Sequence, residues 1–438
     1  MVEMKSGYKM TEVGVIPEDW EVKNVSESCL IKARIGWQGL KKSEYMSSGD
    51  YLLITGTDFD NGQVNWKSCA YVSKARYEQD SNIKIRPQDI LISKDGTIGK
   101  VAYLGMIPKA GTLNSGIFVI RANDRKIDQV FLSKIFMSFY FEEFLNRLVA
   151  GSTINHLYQK DFVKFCFPLP NSEEQVAIAA ALSDVDSLIS ALTKKIEKKK
   201  AIRQGLMQQL LTGKKRLPGY GKNRESVQTE WGAIPKDWKT LSIGRCCSIK
   251  ARIGWQGLKK TEYQSSGEYV LVTGTDFLNG RIDWKSCVYV SKKRYEQDNN
   301  IQIVKHDILI TKDGTIGKVA FLDDVPCLGT LNSGIFVVRS HSLELDQCYL
   351  SKIFESFIFD AFLESLVAGS TINHLYQKDF VHFNFPVPPT VSEQPAIANI
   401  LSDCDSEIAA LEEKRDKYKE IKQGMMQQLL TGKIRLIK

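Results

Sequence analysis

The sequence predicts an α+β protein built from two similar, mixed α/β domains and two long helices, and three observations carry that prediction. The chain repeats itself: residues 31–42 read IKARIGWQGLKK and residues 249–260 read the same twelve letters, an offset of 218. Within each copy, short apolar runs alternate with Gly-bearing turns, as strands do. Each copy then closes on a segment whose apolar residues recur in steps of four and three, the seam of a coiled coil. A repeat of this size decides the architecture before any local reading does.

The copies agree closely along their length. ISKDGTIGKVA from Ile92 returns as ITKDGTIGKVA from Ile310, and AGSTINHLYQKDFV from Ala150 returns unchanged from Ala368. Beyond that the offset becomes 219, as in MQQLLTGK from Met207 and from Met426, so one residue is inserted between Pro170 and Glu393. Each copy opens on IPEDW (from Ile16) or IPKDW (from Ile234). Residues 51–55, 89–92 and 117–120 read as strands, with turns at Asn61-Gly62 and Asp95-Gly96. Residues 129–148 have helical spacing. The expected division is a first domain over 1–171, a helix and linker over 172–218, a second domain over 219–390 and a closing helix over 391–438.

In residues 172–212 the seam runs through Ile178, Leu182, Val185, Ile189, Leu192 and Ile196, and its counterpart through Ile397, Leu401, Cys404, Ile408 and Leu411. About 41 residues at ~1.5 Å each make a rod of roughly 60 Å. Ser172 with Gln175, and Ser392 with Gln394, offer helix-start chemistry, while Gly213 and Gly432 stand where each helix stops. Neither helix hides its seam alone. The simplest partner is the other copy, and an antiparallel coiled coil would relate the two domains by a pseudo-twofold axis; the alternative is that each helix packs on its own domain.

Composition bounds the function. At 438 residues the chain exceeds one ordinary domain, and 43% hydrophobic with 25% charged residues fits a folded, globular protein. No run approaches the ~18 to 20 uninterrupted apolar residues of a membrane span, and residues 1–11 lack an apolar signal core, so a cytoplasmic location is expected. The nine cysteines are odd in number, include the adjacent Cys246 and Cys247, and show no C-x-x-C spacing. They read as reduced, mostly buried thiols.

The parts of an enzyme are missing. No G-x-G-x-x-G follows a strand, and DGTIGKVA puts Val101 where a phosphate-binding loop needs a hydroxyl. Pro388-Pro389 is followed by Thr390, so the aromatic that adenine methyltransferases carry there is absent. Lys94 follows Ile92 and Ser93, without the carboxylate that a common nuclease motif places two residues before its lysine. Five histidines and no ligand spacing argue against a metal. No catalytic residue and no cofactor is expected in this chain.

Three duplicated clusters suit a polyanion instead, and a net charge of +8 agrees. Cations meet phosphates, while amides and hydroxyls read base edges. The first cluster holds Lys32, Arg34, Trp37, Gln38, Lys41 and Lys42, repeated as Lys250, Arg252, Trp255, Gln256, Lys259 and Lys260. The second, on a hairpin, holds Lys94, Thr97 and Lys100, repeated as Lys312, Thr315 and Lys318. The third holds Ser152, Thr153, Asn155, His156, Tyr158 and Lys160, repeated as Ser370, Thr371, Asn373, His374, Tyr376 and Lys378. Each has a plainer alternative: Trp37 as a core anchor, the hairpin as a solvated turn, Ser152 and Thr153 as a helix cap. The lysine run over 194–200 reads as a solvated helix face.

The order IP-x-DW, GTIG hairpin, GST-x-x-x-L and a long helix closing on QGLMQQLLTGK (204–214) or QGMMQQLLTGK (423–433) resembles type I restriction-modification specificity subunits over nearly the whole chain. The resemblance implies a non-catalytic subunit with two target recognition domains, each reading half of a split double-stranded DNA site. It implies helices that space the domains and dock two modification subunits, which methylate adenine with S-adenosylmethionine, and restriction subunits that use ATP and Mg. Such subunits usually carry two unlike recognition domains. Here they are nearly the same, so the expected site is an inverted repeat. The rival is a two-headed protein-interaction scaffold.

Overall fold

The computed structural model describes residues 6–36, 39–149, 156–221, 225–254, 257–367 and 374–437. The chain divides into two units: residues 1–193 with 413–438, and residues 194–412. Each therefore combines one mixed domain with stretches of both long helices.

In the first unit a four-stranded antiparallel sheet is the central layer. Its strands are β1 (Cys29–Ala33), β4 (Ile90–Ser93), β5 (Val101–Tyr103) and β7 (Ile117–Ala122), in the order β5-β4-β7-β1. A second sheet holds β2 (Tyr51–Ile54), β3 (Ala70–Val72) and β6 (Gly111–Leu113), with β6 and β3 flanking β2. The central sheet is covered on both faces, which is why its strands read as continuous apolar runs. Ile90, Ile92, Phe118 and Ile120 point into a core shared with helices α1 (Gln129–Phe136) and α2 (Phe139–Val149). The alternate residues Leu91, Ile117 and Val119 join Leu52, Ile54 and Leu113 of the second sheet. The α+β class predicted from the sequence is the class observed.

The second unit repeats this plan. Strands β8 (Cys247–Lys250), β11 (Ile308–Thr311), β12 (Val319–Phe321) and β14 (Ile335–Ser340) form the four-stranded sheet. Strands β9 (Tyr269–Val272), β10 (Val288–Val290) and β13 (Leu328–Leu331) form the three-stranded one, beside helices α4 (Gln347–Phe354) and α5 (Phe357–Val367).

The stretch expected as one helix over 129–148 is two. Phe136 ends α1, and Phe141 N–H bonds to the carbonyl of Ser138 at 3.2 Å, starting a new turn. Ser138 donates its own hydroxyl back to Ile135 O at 2.7 Å, which stabilises the break.

The long helices are α3 (Ser172–Leu211) and α6 (Glu393–Leu429). In the first unit Ile178 and Leu182 share a core with Met426, Leu429 and Leu430, and Asp186 pairs with Lys422 at 2.6 Å. In the second unit Met207, Leu210 and Leu211 share a core with Ile397, Ala398 and Leu401, and Lys199 pairs with Glu407 at 2.7 Å. Early residues of one helix meet late residues of the other, so the pairing in each unit is antiparallel, as expected. The same side chains also pack on the domain cores, so the alternative reading describes part of the truth. By length and mean composition α3 is apolar enough to cross a membrane, but Asp184 and Asp186 interrupt its apolar run, and Asp186 is held by Lys134 and Lys422.

The helix starts differ from expectation. Asn171 caps α3, its Oδ1 accepting from Glu174 N–H at 3.0 Å. Gln175 forms no capping box; it donates to Pro170 O and Lys126 O and accepts from Asp128 N–H, tying the helix to the domain. Gln394 does the same with Glu344 O and Asp346 N–H. The stops are as expected: Gly213 and Gly432 each have φ +67°, and a Cβ there would collide with Pro235 or Pro17. That packing joins each helix end to an IP-x-DW segment. Arg435 binds Glu174 and Asp19 beside buried Trp20, and Arg216 binds Glu393 and Asp237 beside Trp238. All nine cysteines are free and five are buried.

Candidate nucleic-acid interface

Strand register gathers the candidate residues. In β7, Ile117 pairs with Ser93 and Phe118 with Ala33, so the ends of β4 and β1 and the start of β7 share one sheet edge. In the neighbouring sheet Ile54 lies beside Leu113, and Asn114 N–H donates to Ile54 O at 3.0 Å. Four loops therefore leave one edge, described over 34–36 and 39–45, 55–58, 94–100 and 114–116.

The hairpin over 94–100 is built from within. Ser93 donates its hydroxyl to Thr97 O at 2.6 Å and accepts from Lys100 N–H at 2.9 Å. In the second unit Thr311 does the same with Thr315 and Lys318, which explains why serine and threonine interchange there. Gly96 and Gly99 take positive φ, and a Cβ on Gly99 would collide with Leu145, so the turn lies tightly against α2. Lys94 N–H bonds Gly116 O and Leu157 N–H bonds Lys94 O, each at 2.8 Å. The His156 ring binds the Asp95 carboxyl through Nδ1, as His374 binds Asp313. The third cluster is thereby fastened to the second at its described end, from His156 and His374 onward.

What this edge offers is cationic. Lys41, Lys42, Thr97, Lys100 and Lys160 are exposed, as are Lys259, Lys260, Thr315, Lys318 and Lys378. Lys94 and Lys312 are half-buried, each ammonium 5.2 Å from a phenylalanine ring centre. Tyr158 and Tyr376, more than half exposed, carry Lys160 and Lys378 beside their rings. Lys32 and Lys250 are exposed on β1 and β8 rather than on the loop.

Arg34 and Arg252 do not join this surface, a correction to the sequence reading. Each is 2% exposed. Arg34 donates to Leu113 O at 2.8 Å and Thr112 Oγ1 at 3.0 Å, and Arg252 to Leu331 O and Thr330 Oγ1 at the same distances. Burial, then the neighbouring Arg76 and Arg294 cations, hold their pKa values below the usual guanidinium range. They lock the second sheet to the loop base. Trp37, Gln38, Ser152, Thr153, Asn155, Trp255, Gln256, Ser370, Thr371 and Asn373 lie outside the described residues.

Two elements of the edge escaped the sequence reading: Thr55–Asp58, repeated as Thr273–Asp276, and Asn114–Gly116, repeated as Asn332–Gly334. Their signal was present, since TGTD and NSG recur at the same offset as the basic clusters. Without a lysine or arginine, they resembled ordinary turns. Among the described residues no group of three or more His, Cys, Asp or Glu side chains could hold a metal ion.

Comparison with known proteins gives the family and the fold. The family model of the type I restriction modification DNA specificity domain matches residues 17–201 and 235–423. The MjaX specificity subunit of Methanocaldococcus jannaschii is 27% identical over 439 residues, covering 99% of this chain and 97% of the relative. The MjaVIII specificity subunit of the same organism is 26% identical over 430 residues, covering 96% and 94%. In fold, the chain is similar to the crystal structure of the type I restriction-modification S subunit from M. genitalium, with a TM-score of 0.60 at 15% identity over 97% of this chain and 99% of that one.

Proposed function

The chain belongs to the family of type I restriction-modification specificity subunits, and from that premise we propose that each four-loop edge reads one half of a bipartite site on double-stranded DNA. The observation that carries this is convergence: strand register brings separately encoded lysines, hydroxyls and an aromatic to one edge, and does so twice. Lysine–phosphate contacts supply affinity there, and the hydroxyls and loop amides supply the reading.

The recognition domains correspond to residues 1–171 and 219–390, and the long helices dock two modification subunits. S-adenosylmethionine, ATP and Mg belong to those subunits and to the restriction subunits, and this chain contributes recognition without catalysis. The ion-paired α3 fits a cytoplasmic protein better than a membrane span. Near-identical heads with antiparallel helices in each unit favour an inverted-repeat site, its half-sites about one helical turn apart when read from one side.

Selection from a randomised duplex pool by the full chain with its modification subunits tests this. The expected product is two copies of one half-sequence, inverted about a fixed spacer, with affinity falling steeply as salt rises. Two unlike half-sites would overturn the symmetry, and salt-insensitive binding would favour the protein scaffold instead.

A further inference from the structure

The loop over residues 55–58 contains a hydrogen-bond chain whose direction the chemistry fixes. Asp58 is 3% exposed, and its carboxyl accepts from Thr55 N–H at 2.8 Å, Thr55 Oγ1 at 2.9 Å and Ser68 Oγ at 2.8 Å. Thr55 Oγ1 also lies 2.7 Å from Thr57 Oγ1. A hydroxyl owns one proton and a carboxylate has none to give. The Thr55 proton therefore goes to Asp58, and Thr55 can only accept from Thr57. With its own proton thus committed, Thr57 Oγ1 has lone pairs alone to offer outward.

The second unit holds the same chain. Asp276, also 3% exposed, accepts from Thr273 N–H at 2.7 Å, Thr273 Oγ1 at 2.9 Å and Ser286 Oγ at 3.1 Å, and Thr273 Oγ1 lies 2.8 Å from Thr275 Oγ1. Thr57 and Thr275 are exposed. Their loops adjoin the hairpins: a Cβ on Gly56 would lie 3.3 Å from Ser93 Cβ, and one on Gly274 would lie 3.6 Å from Thr311 Cγ2.

We propose that Thr57 and Thr275 are base-reading residues that act as obligate acceptors, each recognising the exocyclic amino group of an adenine or cytosine in the major groove. The inference rests on the assignment of the four-loop edge to DNA. Phosphate oxygens, guanine O6 and N7, and thymine O4 are themselves acceptors and find no donor at a hydroxyl wired this way. Adenine N6 and cytosine N4 are the donors that the major groove displays. A buried carboxylate thus converts an ambivalent hydroxyl into a one-sided reader.

The test uses the full chain with its modification subunits and the duplex selected from the random pool. At each position of the half-site, adenine is replaced by purine, or cytosine by 2-pyrimidinone, each lacking the amino group. The unmodified chain is expected to lose about three- to tenfold in affinity per half-site at the position Thr57 reads. A T57V/T275V chain, which keeps the shape and removes the acceptor, is expected to bind the normal and amino-less duplexes equally at that position. A T57S/T275S chain should regain the discrimination. The proposal is overturned if the valine chain discriminates at every position as the unmodified chain does, or weakens equally on all duplexes as a purely structural loss would. If the unmodified chain shows no preference for any sequence, the assignment of the edge to DNA fails, and that failure appears without any substitution.

Discussion

Arg34 and Lys94 look alike in the sequence and do opposite things. Arg34 is enclosed by neutral acceptors, so Arg34→Ala with Arg252→Ala should destabilise each domain by about 2 to 4 kcal/mol, because it removes a buried side chain and takes the guanidinium donors from Leu113 O and Thr112 Oγ1. Denaturant unfolding checks the loss, and the salt dependence of DNA binding should not change. Alanine at the exposed Lys100 and Lys318 should leave stability within about 0.5 kcal/mol and reduce the slope of log affinity against log salt by roughly one for each phosphate no longer neutralised. A titration of binding against salt separates the two cases. The sequence could not separate them, because the difference lies in Thr112 and Leu113, which are distant in the chain, belong to the other sheet and meet Arg34 only where the two sheets pack together.

Among the elements, the long helices were legible because their seam repeats over many turns and their stops are glycines whose φ no other residue adopts cheaply. The break at Ser138 was not, since apolar spacing continues across it. Gly432→Ala should destabilise the first unit by about 1 to 3 kcal/mol, combining left-handed backbone strain with the clash against Pro17, and thermal unfolding reads it directly. The helices also set an acid limit. Burial alone would raise the Asp405 carboxyl, but Arg203 and Lys352 outweigh it and hold its pKa below the ordinary value. A lowered folded-state pKa means the stabilisation is present above about pH 4 and is lost as pH falls through the folded value. Asp405→Asn should therefore lower stability at neutral pH and flatten its decline below about pH 4, as measured by urea unfolding across pH.

For the whole molecule, duplication was the most legible fact, and it fixed the class of fold and the presence of two reading edges. The composition of each unit was hidden, because it depends on which stretch of each helix joins which domain. The first unit takes residues 413–438, placing Met426, Leu429 and Leu430 in the core that holds Trp20, and Arg435 on Glu174. A chain ending at residue 412 should expose Trp20 while the second unit keeps its own core intact. Tryptophan emission and limited proteolysis should show one domain loosened and the other protected.

That arrangement carries a consequence for biosynthesis. A ribosome delivers residue 412, and with it every part of the second unit, before it makes the stretch that finishes the first. The first of the two domains to be translated is thus the later to mature, waiting with an open hydrophobic flank until Met426, Leu429 and Leu430 emerge. Termination of translation at residue 412 would spoil the head that was translated first.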